Sequence, residues 1–315
     1  MKIQSAKVGA CVVAVVLAVA ASTVAPAQAE TKLKMMYTAV SGFTAGYVAQ
    51  DQGFFKKRGI DVEFQQTMSS GNNPPALVSG SVQIAGPTMP TLLQANDAGL
   101  DLVVIASGAV YPLEADILVA RQGSGIQKPA DLKGKTVGVP GLGALLHFML
   151  IRNLKNNGVD PASVRFVETS FPQAADALKS GQIDAYPAQA PFTARILQSG
   201  AGYEVANWLK NTPDGTLTVV YATTRKWAEA NQQTVKDLRA AMKEAVEFSK
   251  AHRPEMYASI AKYTKLPQAV VSSLAPPNLE VDTTPQQIKF WVDLAVEQKA
   301  IKGHPDPAKV IYQPK

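Results

Sequence analysis

K-T-V-G-V-P-G-L-G-A-L-L-H-F-M-L-I-R-N-L-K-N-N, residues 135–157, is the stretch on which the fold turns. Residues 135–139 read as a short run of strand type, with Val137 and Val139 apolar. Pro140, Gly141, Leu142 and Gly143 break that run, and a helical stretch then continues to about residue 157. Strand, glycine loop and helix in succession make a βα unit, and such units build mainly parallel sheets flanked by helices.

The same alternation extends in both directions. Upstream, residues 32–39 read as a buried strand through Leu33, Met35, Met36 and Tyr37. A polar loop follows, then a helix over residues 45–58 anchored by Val48, Phe54 and Phe55, with Gly59 as its C′ residue. Residues 60–64 are a second strand. Ser69 to Pro75 is a run of capping residues and prolines ahead of a short helix at 76–78. A strand at 82–85, a helix opened by Gly86-Pro87-Thr88-Met89-Pro90 and a strand at 101–106 complete the first series.

The second series begins with a strand at 117–120 and contains the quoted unit. Asp160 and Pro161 are an N-cap and N1 pair before a strand at 164–167. Ser170 and Gln173 are spaced as a capping box for a helix to residue 180. A strand at 183–186 and a helix from Pro191 follow. Residues 217–222 return as a strand, and beyond them the pattern is helical. Val235, Leu238, Met242, Ala245 and Val246 mark one stripe, and Ile288, Trp291, Val292 and Ala295 another, capped by Thr284 with Gln287. No internal repeat or low-complexity tract occurs.

Two α/β series imply two lobes, the second inserted into the first. The boundaries are expected at residues 30–112 with 218–315 for the first lobe and 113–217 for the second, with the C-terminal helices packed on the first. Residues 1–29 read as a secretory signal: Lys2 and Lys7, an apolar run over 8–21, then Ala27-Gln28-Ala29 before Glu30, with cleavage expected after Ala29. Cys11 precedes most of the apolar run, opposite to a lipoprotein site, and is the sole cysteine of the 315 residues. Its removal leaves 286 residues with no disulfide, thiol nucleophile or thiolate metal site. Without Lys2 and Lys7 the 31 basic residues become 29 against 25 acids, a net charge of +4. The cations are scattered, and Lys56-Lys57-Arg58 lies at an expected helix end, so nucleic-acid binding is not expected.

Three stretches resemble one family. YVAQDQGFFKKRGIDVEF (47–64), IQKPADLKGKTVGVPGLGALLHFMLIRNLKNNGVD (126–160) and ALKSGQIDAYPAQAPF (177–192) are similar, in order and spacing, to periplasmic binding proteins of the nitrate/sulfonate/taurine type, grouped with thiamine-pyrimidine-synthesis-like proteins. The resemblance implies a type II periplasmic-binding-protein fold of two lobes and two crossings, and an inner-membrane ABC permease and ATPase as partners; no cofactor is expected. The pyrimidine-synthesising branch carries a cysteine cluster that this chain lacks.

In open α/β sheets ligands sit beyond the carboxyl ends of strands, where helix N–H groups and dipoles favour anions. That rule selects Ser41, Gly42, Phe43 and Thr44; Ser70, Gly71 and Asn72; Thr88; Gly141, Leu142, Gly143 and Ala144; and Gln189 with Phe192. Each group has a plainer alternative: a βα turn for the first, helix capping for Ser70 and Thr88. Gly141-Leu142-Gly143 lacks the third glycine of a dinucleotide fingerprint, since position 146 is Leu146, and no P-loop lysine follows. Close backbone approach to a small anion is what remains. His147, Tyr111, Phe171 and Tyr186 read as structural. The loops carry almost no charged side chains, which suits a sulfonate, taurine, nitrate, an aromatic carboxylate or a neutral molecule.

The expected function is therefore capture of a small organic anion for an ABC importer, by a monomer, in the periplasm. An exported α/β hydrolase is the alternative; it wants Gly-x-Ser-x-Gly, which residues 30–315 lack, and His147, His252 and His304 are dispersed. A ligand-presenting subunit for a sensor is a second alternative.

Overall fold

The computed structural model describes residue 1 and residues 30–112, 116–205, 209 and 212–315. The expected signal sequence with Cys11, and positions 113–115 of the first expected crossing, lie outside the described residues.

β1 (Thr31–Thr38) buries Leu33, Met35 and Tyr37. α1 (Thr44–Asp51) carries the chain to β2 (Ile60–Thr67), parallel to β1 with Thr31 opposite Ile60 and Thr38 opposite Thr67. α2 (Asn73–Val78), β3 (Ile84–Ala85), α3 (Met89–Asp97) and β4 (Leu102–Val110) follow, and all nine residues of β4 are buried. The chain then enters β5 (Ile117–Arg121), β6 (Thr136–Val139), α4 (Leu145–Asn156), β7 (Arg165–Glu168), α5 (Ala174–Lys179), β8 (Ala185–Ala188), α6 (Phe192–Gln198) and β9 (Gly202–Glu204). β10 (Leu217–Thr224) leads to α7 (Arg225–Ala230), α8 (Gln232–Ala251), α9 (Arg253–Thr264), α10 (Gln268–Val271) and α11 (Pro285–Glu297).

The strands form two five-stranded sheets, ordered β2-β1-β3-β10-β4 and β7-β6-β8-β5-β9. In each, four strands point one way and one is reversed: β10 is antiparallel to β3 and β4, and β5 to β8 and β9. The reversed strand is the one that has just arrived from the other sheet. The carboxyl ends of the parallel strands face the gap between the sheets. A chain that crosses at that gap must therefore run outward on entering the next sheet. The two connections are tied to each other, Tyr111 N–H to the Thr216 carbonyl at 2.9 Å and Gly215 N–H to the Tyr111 carbonyl at 2.8 Å.

The C-terminal helices cover the first sheet. α1 packs on α8 and α9, and Tyr47 stacks on Tyr263 at 4.5 Å with Tyr37 edge-on to both. Trp291 on α11 is fully buried and donates its indole N–H to the Leu217 carbonyl at 2.9 Å.

Local expectations needed four corrections. The helix expected over 45–58 stops at Asp51, because Gly53 adopts φ +71°, and resumes only as a 3-10 turn at Lys56–Arg58. The expected strand at 82–85 is two residues long. β8 starts two residues later than expected, since Ile183 donates its N–H back to Ala177 and closes the preceding helix. Ser170 and Gln173 do meet, but side chain to side chain at 2.7 Å, without the reciprocal backbone bonds of a capping box. Thr284 and Gln287 form the full box.

Trp291→Phe removes a buried donor and leaves the Leu217 carbonyl unpaired and a void beside it. The expected loss is about 1–3 kcal/mol, read as a lower urea midpoint at unchanged slope.

Candidate functional site

Each loop at the gap follows from strand geometry. The parallel strands deliver the chain to the gap, and short turns or caps start the next helix there. Val40, Ser69, Thr88 and Ala144 hold extended backbone at those starts. The amino ends of α1, α2, α3, α4 and α6 thus converge from both sheets, with first-turn N–H groups that have no partner inside their own helices.

Between them lies a cavity of about 40 Å³ of water-sized space, room for roughly three waters at ~10–15 Å³ each. Of the residues expected from sequence, Phe43, Ser70, Thr88, Ala144 and Gln189 line it. Every one of the five loops contributes to the wall, counting Gly86 beside Thr88. Thr38, Val40, Met68, Pro140, Leu145, Leu146, Thr218 and Val219 also line it and were not anticipated; Phe171, expected near the cleft, lines it too. Thr38 and Val40 flank the loop that was chosen, and Leu145 and Leu146 are simply the next turn of α4. Phe171 was assigned to core packing. Thr218 and Val219 come from β10, outside all five loops, and no local pattern signals them.

No charged side chain lines this cavity. Its polar groups are hydroxyls and one amide. The Thr38 hydroxyl is buried without a partner. The Thr88 hydroxyl lies 2.8 Å from that of Thr91, and Thr218 donates to the Ala109 carbonyl at 2.8 Å. Asn73, fully buried, donates to the Ser70 carbonyl at 2.9 Å and the Gly86 carbonyl at 3.2 Å, clamping two site loops together. Ser69 accepts the Gly71 N–H at 3.4 Å, so that loop also caps its own turn.

Phe43 is held edge-on to Tyr221 at 5.4 Å. The Tyr221 hydroxyl accepts the Gly46 N–H at 3.0 Å and donates to the Phe43 carbonyl at 3.1 Å. A Cβ at Gly46 would come 2.7 Å from that hydroxyl, and one at Gly86 would overlap the Phe43 ring. Glycine is required at both for close approach. On the opposite side Phe171 stacks on Phe192 at 5.5 Å, so Phe192 backs the wall and does not form it.

The remaining candidates are placed elsewhere. Ser41 and Gly42 line an adjoining cavity of about 310 Å³. Thr44 is fully buried and donates to the Ser41 carbonyl at 2.6 Å. Gly71 and Asn72 are exposed. Leu142 is 52% exposed, and its N–H goes to Glu168 at 2.9 Å. Gly143, at φ +73°, gives its N–H to His147 Nδ1 at 2.9 Å and accepts from Gln94 at 2.8 Å. Two amides of the glycine loop are thus already bonded within the protein. Gly141 faces the other lobe; a Cβ there would sit 3.6 Å from Ser69 Oγ and 3.7 Å from Ser70 Oγ. Burial lowers the His147 pKa to about 4, which keeps the ring neutral and its Nδ1 an acceptor.

The two lobes touch along the gap. Ser41 N–H donates to the Ala190 carbonyl at 3.1 Å, Gln94 reaches Gly143, Gln298 donates to the Phe148 carbonyl at 2.9 Å, and Arg152 lies 5.5 Å above the Phe290 ring. These contacts join the two lobes across the gap. Among the described residues no cluster of three or more His, Asp or Glu is placed to hold a metal ion, and no helix is long and apolar enough to cross a membrane.

Comparison with known proteins fits this geometry. The family described as NMT1/THI5 like matches residues 41–256. The taurine-binding periplasmic protein of Escherichia coli strain K12 is 27% identical over 262 residues, covering 76% of this chain and 75% of that protein. The alkanesulfonate-binding protein SsuA from Xanthomonas axonopodis pv. citri, bound to MOPS, superposes with TM-score 0.77 at 21% identity over 91% of this chain and 99% of its own. The nitrate-binding protein NrtA from Synechocystis PCC 6803 superposes with TM-score 0.75 at 15% identity, covering 88% and 84%. The shared fold is that of two-lobed periplasmic binding proteins.

Tyr221→Phe strands a buried N–H and a buried carbonyl at the site, and the expected loss of stability is about 1–3 kcal/mol. Thr38→Val replaces a hydroxyl that has no partner, and no loss is expected. Urea denaturation of both variants separates the roles: a comparable loss in Thr38→Val would mean that its hydroxyl is bonded within the protein.

Proposed function

Because the chain belongs to the NMT1/THI5-like family, we propose that it is a periplasmic solute-binding protein that captures a small organic anion between its lobes and delivers it to an ABC permease and its ATPase. The observation that carries this reading is the interlobe cavity itself. It gathers the helix amino ends of both sheets and has no charged side chain in its wall. Such a site stabilises an anion through preoriented N–H and O–H groups and helix dipoles. A sulfonate or another compact oxyanion is the substrate class, in keeping with the sulfonate, taurine and nitrate named for its relatives.

Thr38, Ser70, Thr88 and Gln189 supply the polar contacts, and Phe43, Phe171, Leu145 and Met68 the apolar wall. The first lobe comprises residues 30–112 with 218–315, the second 113–217, and residues 1–29 leave as the export signal. Binding closes the lobes about the paired connections at Tyr111 and Thr216, and the transporter reads the closed form. The protein acts as a monomer and performs no catalysis: it holds and releases its ligand unchanged.

Thermal unfolding of stripped protein against alkyl and aryl sulfonates, taurine, nitrate, aromatic carboxylates and neutral controls tests this. A ligand at 100 times its Kd is expected to stabilise by about 2.7 kcal/mol, several degrees for a chain of this size. Thr38→Val is expected to weaken the responding anion by about tenfold. A panel in which only neutral compounds raise the midpoint overturns the anion assignment.

A further inference from the structure

Beside the anion cavity lies the second interlobe cavity, and unlike the first it has a carboxylate in its wall. Its walls come from both lobes and both connections: Ser41 and Gly42, Pro112 and Asp116, Gln189 and Ala190, and the segment Ala275 to Asn278. Pro112, Pro276 and Pro277 have no N–H to offer. Of the remaining donors, Ser41 N–H is taken by the Ala190 carbonyl at 3.1 Å. Ala190 N–H and Gln189 Nε2 are taken by the two oxygens of Asp116, at 3.2 Å and 3.1 Å. Three donors at this wall are therefore already occupied within the protein.

Asp116 is 3% exposed and is the one carboxylate in this wall. Its two partners are neutral, and no cation is paired with it among the described residues. An ionised carboxylate has about four lone-pair positions, so two donors leave it half satisfied. Gln189 lines both cavities and bonds Asp116, so the compartment that holds the carboxylate opens beside the uncharged one.

We propose that this compartment takes the protonated amine of a zwitterionic ligand whose anionic end lies at the helix amino ends of the neighbouring cavity. The assignment rests on the anion-capture function above and narrows its substrate to an aminoalkyl sulfonate or a similar zwitterion. The ammonium completes the hydrogen bonding of Asp116 and neutralises its buried charge. Without that cation, burial raises the Asp116 pKa to about 7. The titratable group that the described residues bring against it is Tyr111, itself held neutral by burial and by the Asp116 charge. Receiving an ammonium then requires Asp116 to give up its proton below about pH 7.

Calorimetric titration of the exported protein with two matched pairs tests this: 2-aminoethanesulfonate against ethanesulfonate, and 3-aminopropanesulfonate against propanesulfonate. The amine-bearing member of at least one pair is expected to bind at least about tenfold more tightly. That preference is expected to shrink as pH falls from 8 to 6 and to vanish in Asp116→Asn. Should the variant fail to fold, the preference and its pH dependence in the unaltered protein decide alone. Equal affinity within both pairs, or a preference that survives in folded Asp116→Asn, overturns the amine compartment and leaves anion capture standing. Binding of none of the four compounds overturns sulfonate capture and the amine compartment together.

Discussion

The Tyr221 hydroxyl, taking the Gly46 N–H and giving its proton to the Phe43 carbonyl, holds the loop between β1 and α1 against the reversed strand of the first sheet. Much of the site follows from that pair of bonds. Phe43 can lie against Tyr221 only because the loop is fixed there, and it can reach the cavity only because Gly86 leaves its ring room. The same loop presents the Ser41 N–H to Ala190 across the gap. The Tyr47 hydroxyl, 3.2 Å from both the Thr38 and Val40 carbonyls, fixes the strand end that precedes it. A buried hydroxyl that satisfies one donor and one acceptor costs little, while its loss exposes both.

A cavity without charged side chains handles an anion differently from an arginine clamp. The amides at helix starts are covalently fixed and already oriented, so little side-chain entropy is lost when a ligand arrives. Their pull is spread over several groups from both lobes, so it is complete only when the lobes meet. Asp116 stands just outside this region, held by the Ala190 N–H and the Gln189 amide. An anion driven as deep as that carboxylate would meet repulsion in a medium of low dielectric. The gap thus has an electrical direction, with donors at one end and a carboxylate at the other.

The fold was legible because its signals are local. Alternating strands and helices, Gly59 after the basic turn, Thr284 with Gln287, and the glycine loop before α4 each act within a few residues. The five loops were legible for the same reason, since a strand end followed by a helix start fixes where an open sheet places its ligand. What escaped was which atoms in those loops stay free. The amides of Leu142 and Gly143 looked available, yet Glu168 and His147 occupy them from outside the loop. Phe192 looked like a wall, but Phe171 stands in front of it. Thr218 and Val219 arrive by tertiary pairing alone, and Asp116 sits in a stretch with no motif to draw attention to it. The helix over 45–58 failed for a smaller reason: Gly53 fits a helical pattern by spacing and leaves it by conformation.

The place of β10 in the first sheet has a consequence for the growing chain. It lies between β3 and β4, with Val220 opposite Ser107 and Ala222 opposite Ala85. A nascent chain that has not yet reached Leu217 carries β3 and β4 with a missing neighbour, and α1 without the cover of α8 and α9. The strands of the second sheet are contiguous, from Ile117 to Glu204, and can pair as soon as they emerge. The amino-terminal portion is therefore first off the ribosome and last to fold. Its leading strands thus wait for residues two thirds of the way along the chain before their sheet can be finished.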